Sequence, residues 1–166
     1  MLDQLMSIYN HPPSGFHFRV VFERVPTELG GSLPVLPNDW MFQEVSGLDY
    51  TLSSEPYKEG GENRYIHHLP THYEYSDLEL KRGLVALSAL SYLNRANYPV
   101  APSNLFIFLH GDSPVVPLFT WYVSGAYPVS WSYSSLDATK NEIVIETIKF
   151  KYRYFTTIDT IASQLI

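Results

Sequence analysis

The C-terminal third of the chain constrains the fold most, because it is built of aromatic and β-branched runs separated by short polar or hinge segments. Such residues suit a pleated, half-buried surface and are typical of strands. A polar connection at 134–141 has the small side chains that turns favour. This part of the sequence therefore predicts a β-hairpin with a long second arm. The runs are Leu118–Val123 and Tyr127–Tyr133, hinged at Gly125 and Pro128, followed by Glu142–Phe155.

The second arm of this hairpin changes its hydrophobic phase. Ile143 and Ile145 lie at odd positions, whereas the apolar residues from Ile148 to Tyr154 lie at even ones. A strand with a period of two residues cannot keep one face buried through such a change. The pattern predicts either a bulge near Glu146–Thr147 or a strand that is buried on different faces at its two ends. The basic face, Lys149-x-Lys151-x-Arg153, is then either a solvated strand face or a positive stripe toward a channel or partner.

Composition indicates one ordinary domain with a single core and favours a subunit of a larger assembly. The 166 residues are 45% hydrophobic and 15% aromatic, which excludes disorder and favours strands. Only 17% of residues are charged, against about 25% in a typical globular domain, so much of the surface is neutral. The net charge of −6 argues against nucleic-acid binding through the outer surface. The absence of cysteine excludes disulfides, thiolate metal sites and cysteine nucleophiles.

Targeting signals are not recognisable in the sequence. The stretch Met1–Met6 has neither a basic region nor a long apolar core, so we expect no secretion signal. No apolar run has the length of a membrane span, so we expect no membrane insertion by this chain. The protein is expected to be synthesised and to assemble in the cytoplasm.

Further elements follow from residue patterns along the chain. The apolar residues Leu84, Leu87 and Leu90 recur at helical spacing, which predicts one helix at roughly 83–96. With the hairpin, the chain is therefore expected to be mainly β, with about seven strands and one α-helix. The other predicted strands are Phe16–Phe22, Trp40–Leu48, Tyr65–Leu69 closed by Pro70, Tyr73–Lys81 and Leu105–Leu109. The predicted irregular segments are an N-terminal arm at 1–14, an extended loop at 23–39 and a polar loop at 49–64.

The sequence contains no recognisable enzyme signature. His67, His68 and His72 with Glu74 are the best metal candidates, but adjacent residues of a strand point to opposite faces. His110 and Asp112 form a weak catalytic pair, since Gly and Asp there also suit a turn. Glu142 and Glu146 share a strand face, which cross-strand ion pairs explain as well as catalysis does. We therefore predict no catalytic residues, no metal site, no cofactor and no enzymatic activity.

Several segments, in order, carry a resemblance to a known family. The chain resembles the tail tube proteins of contractile phage tails and related contractile injection systems, the conserved phage tail region proteins. The resemblance extends from about Phe16 to Phe155. The matching segments are Phe16–Val20, Phe42–Leu48 (FQEVSGL), Tyr57–Asn63 (YKEGGEN), Leu69-Pro70, Leu78–Gly83 (LELKRG), Ala126–Trp131 (AYPVSW), Leu136–Ala138 and Asn141–Thr147 (NEIVIET).

The resemblance implies a fold and an assembly. It implies a single tail-tube domain over 1–166, a β-barrel-like sandwich, with six copies in a ring and rings stacked into a hollow tube. The loop at 49–64 is then expected to reach the adjacent ring through Tyr57, Lys58, Glu59, Gly60, Gly61 and Glu62. Lys149, Lys151 and Arg153 are expected to face the lumen or a neighbouring subunit. The implied partners are other copies, sheath, baseplate and cap proteins, and a DNA or protein payload in the lumen.

Two departures from the family pattern leave the place in the tube open. The segment Glu23–Asp39 is longer than usual, and the predicted helix is more apolar. Both leave open a specialised ring next to the baseplate instead of the main tube. An alternative from another class is a monomeric β-barrel that binds a small ligand among its aromatic residues. A hydrolase using His110 and Asp112 is the third and weakest hypothesis.

Overall fold

The computed structural model describes residues 17–26, 32–33, 41–61, 64–85, 88, 90, 102–111 and 117–159. Within these residues the chain is almost entirely β-structure. The strands are β1 (Phe18–Phe22), β2 (Val25–Pro26), β3 (Ser32–Leu33), β4 (Glu44–Ser46), β5 (Tyr50–Tyr57), β6 (His67–Tyr75), β7 (Leu78–Gly83), β8 (Ser103–His110), β9 (Pro117–Tyr133), β10 (Ile145–Lys151) and β11 (Tyr154–Asp159).

Strand β9 organises the fold because its 17 residues belong to both halves of a continuous seven-stranded antiparallel sheet. Its first half lies between β8 and β11, and β1 pairs with β8. Its second half pairs with β10, which is followed by β7 and β4. Gly125, with φ of 64°, lies near the join of the two halves, in a conformation that glycine adopts without strain. We call β1, β8, the first half of β9 and β11 the first sheet, and the second half of β9 with β10, β7 and β4 the second sheet.

The core lies between these two sheets, as expected for a sandwich. Strands β1, β8, β7 and β10 alternate buried and more exposed residues with a period of two, so each places one apolar face inside. Phe22 of the first sheet and Phe150 of the second meet with ring centroids 5.7 Å apart. The buried apolar residues are Val20, Phe22, Leu78, Leu80, Leu90, Leu105, Ile107, Val123, Ala126, Ile148 and Phe150. The predicted sandwich is confirmed.

The predicted hairpin is also confirmed, but its second arm is two strands. β10 and β11 both pair with β9 and are separated by Tyr152 and Arg153. The predicted bulge near Glu146–Thr147 is wrong, because the register shifts between Lys149 and Phe150 instead. Glu146, Ile148 and Phe150 are all buried on one face of β10, so the phase is continuous there. It switches only after the break, where Phe155 is the residue packed against the core.

Half of the polar segment predicted as a loop at 49–64 is a strand. Tyr50–Tyr57 forms β5, which pairs with β6 as a separate two-stranded sheet that we call the arm, residues 50–75. The prediction that Pro70 ends a strand is wrong, since β6 continues through it to Tyr75. Proline lacks an N–H, and a sheet of two strands consists only of edges, where such a residue is tolerated.

The remaining predicted elements are confirmed, shortened or lie outside the described residues. β1 has Phe18, Val20 and Phe22 on one face, as predicted. The predicted strand Trp40–Leu48 is only β4, and β7 is separated from β6 by Ser76 and Asp77. The extended segment 23–39 contains the short pair β2–β3; its other residues from 27 to 31 and from 34 to 39, and the arm predicted at 1–14, lie outside the described residues.

The start of the predicted helix is corrected. Gly83 is the last residue of β7, because it still pairs with Ile145 of β10. Within the interval 83–96, Leu90 is helical and fully buried, whereas 86–87, 89 and 91–96 lie outside the described residues. In the described part of the chain, no helix is long and apolar enough to cross a membrane.

Candidate assembly surfaces

The arm exposes both of its faces. Along β5 and β6, every strand residue except Ser53, His67 and Tyr75 is exposed, whichever face of the two-stranded sheet it occupies. A two-stranded sheet without a covered face is at best marginally stable alone, so the arm is suited to contact a partner. The exposed large apolar residues of the arm are Tyr50, Leu52, Tyr57, Tyr65, Ile66, Leu69 and Tyr73.

Aromatic contacts hold the base of the arm against the two sheets. The ring of Tyr75 lies 5.6 Å from that of Tyr152 and 5.7 Å from that of Phe155, both edge-on. Tyr50 lies 6.0 Å from Phe155. Edge-to-face pairs at these separations are favourable beyond the area they bury. The arm therefore leaves the sandwich from a fixed base.

Gly47 sets the path of the chain into the arm. Its φ is 86°, and a Cβ at this position would lie 1.9 Å from the carbonyl oxygen of Asp77. The Tyr152 hydroxyl donates a hydrogen bond to the Gly47 carbonyl at 3.1 Å. Burial, followed by the charge of Asp49, raises the pKa of Tyr152 to about 12. Glycine is thus required here by both conformation and close packing.

The predicted inter-ring residues lie at the tip of the arm. Tyr57 ends β5 and is exposed, and Lys58, Glu59, Gly60 and Gly61 continue into the turn, also exposed. Gly61 has a φ of 98°, a backbone conformation that glycine adopts without strain because it has no Cβ. Glu59 lies 3.6 Å from His67 across the arm. The structure therefore brings five of the six predicted residues together; Glu62 lies outside the described residues.

The outward side of the second sheet, which we call the polar face, contains two of the three predicted lysine and arginine residues. Lys149 Nζ lies 3.1 Å from Glu79, and Lys151 Nζ lies 2.5 Å from Asp77. Lys81 lies 2.8 Å from Glu44 and 3.5 Å from Glu79. The face is therefore charge-balanced, with three lysines beside three carboxylates, and is not a positive stripe.

Ion pairing on the polar face shifts the pKa values of its charged side chains. Hydrogen bonding to Lys149 is the main cause that lowers the pKa of Glu79. A hydrogen bond to Glu44 raises the pKa of Lys81, and one to Asp77 raises the pKa of Lys151. Each shift favours the charged form, so the face keeps its paired charges near neutral pH.

Arg153, the third predicted cation, lies apart from these pairs. It occupies the break between β10 and β11, where its N–H donates to the Ser124 carbonyl at 3.0 Å. Its side-chain carbons pack over Gly125, 3.1 Å from where a Cβ would be. Its position is thus fixed by the bend and not by the ladder of lysines.

The second sheet is open at both edges in the described part of the chain. The half of β9 from Tyr127 to Ser132 pairs with β10 on one side only, and β4 pairs only with β7. Open strand edges have unpaired backbone donors and acceptors, which a neighbouring chain can satisfy. These edges are therefore candidates for contacts between subunits.

A buried ion pair that was not predicted from the sequence links β7 and β10 on the core side of the second sheet. The Arg82 and Glu146 side chains are 1% and 0% exposed, and Arg82 Nε donates to Glu146 at 2.6 Å. Trp131 Nε1 donates to the other Glu146 oxygen at 2.7 Å, and Arg82 Nη2 donates to Ser88 at 2.8 Å. The available signal was the position of Glu146, two residues before Ile148 and in phase with it.

Two of the three histidines considered as metal ligands each lie beside a glutamate. His72 lies 3.0 Å from Glu74, and His67 pairs with Glu59. Among the described residues, no group of three or more potential ligands is close enough to hold a metal ion. His110 is buried at the end of β8, and burial, with Arg19 and His17 nearby, lowers its pKa. Asp112, its predicted partner, lies outside the described residues.

An open pocket lies on the connection between β9 and β10, away from the space between the sheets. Its volume is about 330 Å³, and Leu136, Asp137, Lys140 and Glu142 are among the residues that line it. Leu136 and Ile143 of this connection are among the most exposed apolar residues described. This location differs from the interior cavity expected of a ligand-binding barrel.

Comparison with known proteins identifies the family. The sequence profile of the T4-like virus tail tube protein gp19 matches residues 14–156. The chain belongs to the T4-like virus tail tube protein family. It is a structural subunit of a tail tube and a component of a phage tail or contractile injection particle. Among curated proteins, none matches the sequence significantly.

Solved structures share this tail tube fold. A chain of the anti-feeding prophage baseplate, from a six-fold symmetrised cryo-EM structure, is 27% identical, with a TM-score of 0.72, covering 90% of this chain and 97% of the other. A chain of the PVC sheath–tube complex, an extracellular contractile injection system, is 24% identical, with a TM-score of 0.74, covering 96% and 99%. Hcp1 from Flavobacterium johnsoniae is 15% identical, with a TM-score of 0.50, covering 87% and 100%. None of these similarities supports the ligand-binding barrel.

Proposed function

We propose that six copies of this tail tube protein form a ring and that the rings stack into a hollow tube that conducts DNA or a protein payload. The observation that carries the proposal is the second sheet, whose two edges are open in the described residues. A contact between β4 of one subunit and β9 of the next is head-to-tail, and such contacts generate a closed ring when the rotation closes. The number six is taken from the six-fold symmetry of the anti-feeding prophage structure.

The arm is the proposed axial contact. It leaves the second sheet at the Leu78 end of β7, whereas the connection between β9 and β10 lies at the Gly83 end. The two features therefore project from opposite ends of the same sheet. In a stack, an arm from one ring would reach the opposite end of a subunit in the next. Tyr57, Lys58, Glu59, Gly60, Gly61 and Glu62 are the proposed contact residues.

The proposed role is structural and without catalysis, in keeping with the family. Sheath, baseplate and cap proteins are the proposed partners, because the similar chains come from baseplate, cap and sheath–tube assemblies. A ring next to the baseplate is a second candidate position, favoured by the likeness to the anti-feeding prophage baseplate chain. Synthesis and assembly are proposed to take place in the cytoplasm.

The mass of the purified protein tests the ring. A ring of six chains of 19.0 kDa would weigh about 114 kDa in light scattering, and negative-stain images of the same fractions would show rings or tubes. Val129→Pro is expected to reduce ring formation, because Val129 is the extra residue of β9 where the register with β10 shifts, in the half of β9 whose other edge is open. Proline would prevent a neighbouring strand from pairing there. Val129→Thr, which keeps the N–H, is the matched control.

A separate variant tests stacking. Tyr57→Asp at the tip of the arm is expected to leave rings intact but to prevent tubes, because it places a charge in an apolar contact. Tyr57→Phe should stack like the unchanged protein. A folded protein that remains a monomer at high concentration would contradict the ring proposal, and tubes formed by Tyr57→Asp would contradict the role of the arm.

A further inference from the structure

The polar face has a defined place if the second sheet closes around the ring, an inference that rests on the proposed function. Four strands per subunit give 24 strands, and at about 4.8 Å per strand the closed sheet would be about 115 Å around, or about 18 Å in radius. The first sheet lies on the other side of the core and also has four strands per subunit.

Only one side of the closed sheet has room for the first sheet. A layer about 10 Å nearer the axis would be about 50 Å around, room for about 10 strands where 24 are needed. The first sheet must therefore lie outside the second. The polar face, on the side of the second sheet away from the core, is then the lining of the passage.

Charges on this face are matched row by row across the strands. Lys149 of β10 lies directly opposite Glu79 of β7, and Lys81 lies directly opposite Glu44 of β4. Glu79 also contacts Lys81, so one carboxylate serves two lysines. Each lysine therefore has a carboxylate within 3.1 Å. The other outward residues of β9 and β10 in these rows are neutral: Ser130, Ser132 and Thr147.

We propose that Glu44, Asp77 and Glu79 mask the lysines of the passage, so that a polyanion moves through it without being held. A row of six equivalent lysines around a ring would otherwise attract phosphates strongly, because phosphate affinity is set by the number of uncompensated cations. A carboxylate already in contact with each lysine competes with an incoming phosphate for the same ammonium group. The same pairing prevents retention of an acidic protein payload.

Glu79→Gln tests the masking directly. It removes the only described carboxylate of Lys149 and one of the two beside Lys81. Exposed ion pairs of this kind contribute little to stability, so the variant is expected to fold and assemble. Glu142→Gln is the matched control, because it makes the same change in net charge in the exposed connection between β9 and β10.

The assay is fluorescence anisotropy of a short, labelled single-stranded oligonucleotide, with tubes and with unassembled protein. We expect weak binding by the unchanged protein and by Glu142→Gln, and at least about tenfold tighter binding by Glu79→Gln at about 50 mM salt. The slope of log affinity against log salt concentration should steepen by about 0.7 for each additional lysine–phosphate pair. Equal binding by Glu79→Gln and Glu142→Gln, or tight binding by the unchanged protein, would overturn the masking.

The place of the face is tested separately with the cysteine-free chain. Ser130→Cys on the polar face is expected to react with a small maleimide but not with a polymer-linked one once tubes have formed. Thr156→Cys, on the exposed strand β11 of the first sheet, should react with both. Equal reaction of Ser130→Cys with both reagents in tubes would overturn the lining. Absence of rings would instead overturn the proposed function, and the oligonucleotide assay on the monomer would still decide the masking, since the face is exposed there.

Discussion

Glu146→Gln is the substitution whose effect can be worked out most fully, because both partners of the pair are almost completely buried. Glu146 accepts from Arg82 through one oxygen and from Trp131 through the other. Glutamine has one oxygen and one NH₂ group, so in either orientation one donor would face another donor. The guanidinium would also lose its buried counter-charge.

Removing one partner of a buried ion pair typically costs about 3–5 kcal/mol, because the remaining charge is left uncompensated. For a chain of this length each kcal/mol corresponds to about 2–4 °C, so the midpoint of thermal unfolding should fall by about 6–20 °C. Urea unfolding, followed by circular dichroism and tryptophan fluorescence, measures the change in the free energy of unfolding. Protein concentration must be held constant, since assembly adds stability.

Two further variants separate the ion pair from general damage to the sheet. Glu142→Gln changes an exposed carboxylate four residues away and should alter stability by no more than about 0.5 kcal/mol. The double variant Arg82→Met with Glu146→Leu removes both charges and should recover most of the stability that Glu146→Gln loses. A loss of less than about 1 kcal/mol in Glu146→Gln would refute the reasoning, since a buried charge cannot lose its partner so cheaply.

Three further substitutions test particular contacts. Gly47→Ala should lower the free energy of unfolding by about 3 kcal/mol or more, because φ is positive and the new Cβ would meet the Asp77 carbonyl oxygen; a thermal midpoint equal to that of Gly60→Ala, where space is open, would contradict this. Gly125→Ala should also lower the free energy of unfolding. Adding Arg153→Ala should restore only part of that loss, because it removes the contact with the arginine side chain but not the backbone strain. Full recovery of stability in the double variant would show that the contact alone matters. Tyr152 has a pKa raised to about 12 from an ordinary value of about 10, so its contribution to stability is present below about pH 10 and is lost as pH rises through about 12. Tyr152→Phe should therefore reduce the decline in the free energy of unfolding between those two pH values, measured by urea unfolding at a series of pH values. An equal decline in both proteins would argue against this role.

Much of the architecture could be predicted from the sequence because strand patterns are local. The alternation in Phe18–Phe22 and the hairpin of β9 and β10 depend only on neighbouring residues that share a strand face. The ordered segments from Phe16 to Phe155 also carried the family resemblance, which the match over residues 14–156 confirms. The residues Tyr57–Gly61 were predicted to lie in a loop, which holds for Lys58–Gly61, and their role in stacking stays a proposal.

The tertiary structure decided the features that depend on residues far apart in the chain. Glu146 is 64 positions from Arg82. From the sequence alone a carboxylate is expected at the surface, because its buried partner cannot be identified over that distance. The sequence alone could not decide whether the lysines of β10 form a positive stripe, because the carboxylate opposite Lys149 is Glu79 of the distant strand β7. The break between β10 and β11 also depends on tertiary structure, because the two strands pair with different halves of β9. Local periodicity determines which face a residue occupies, but only the pairing of distant strands determines what that face meets.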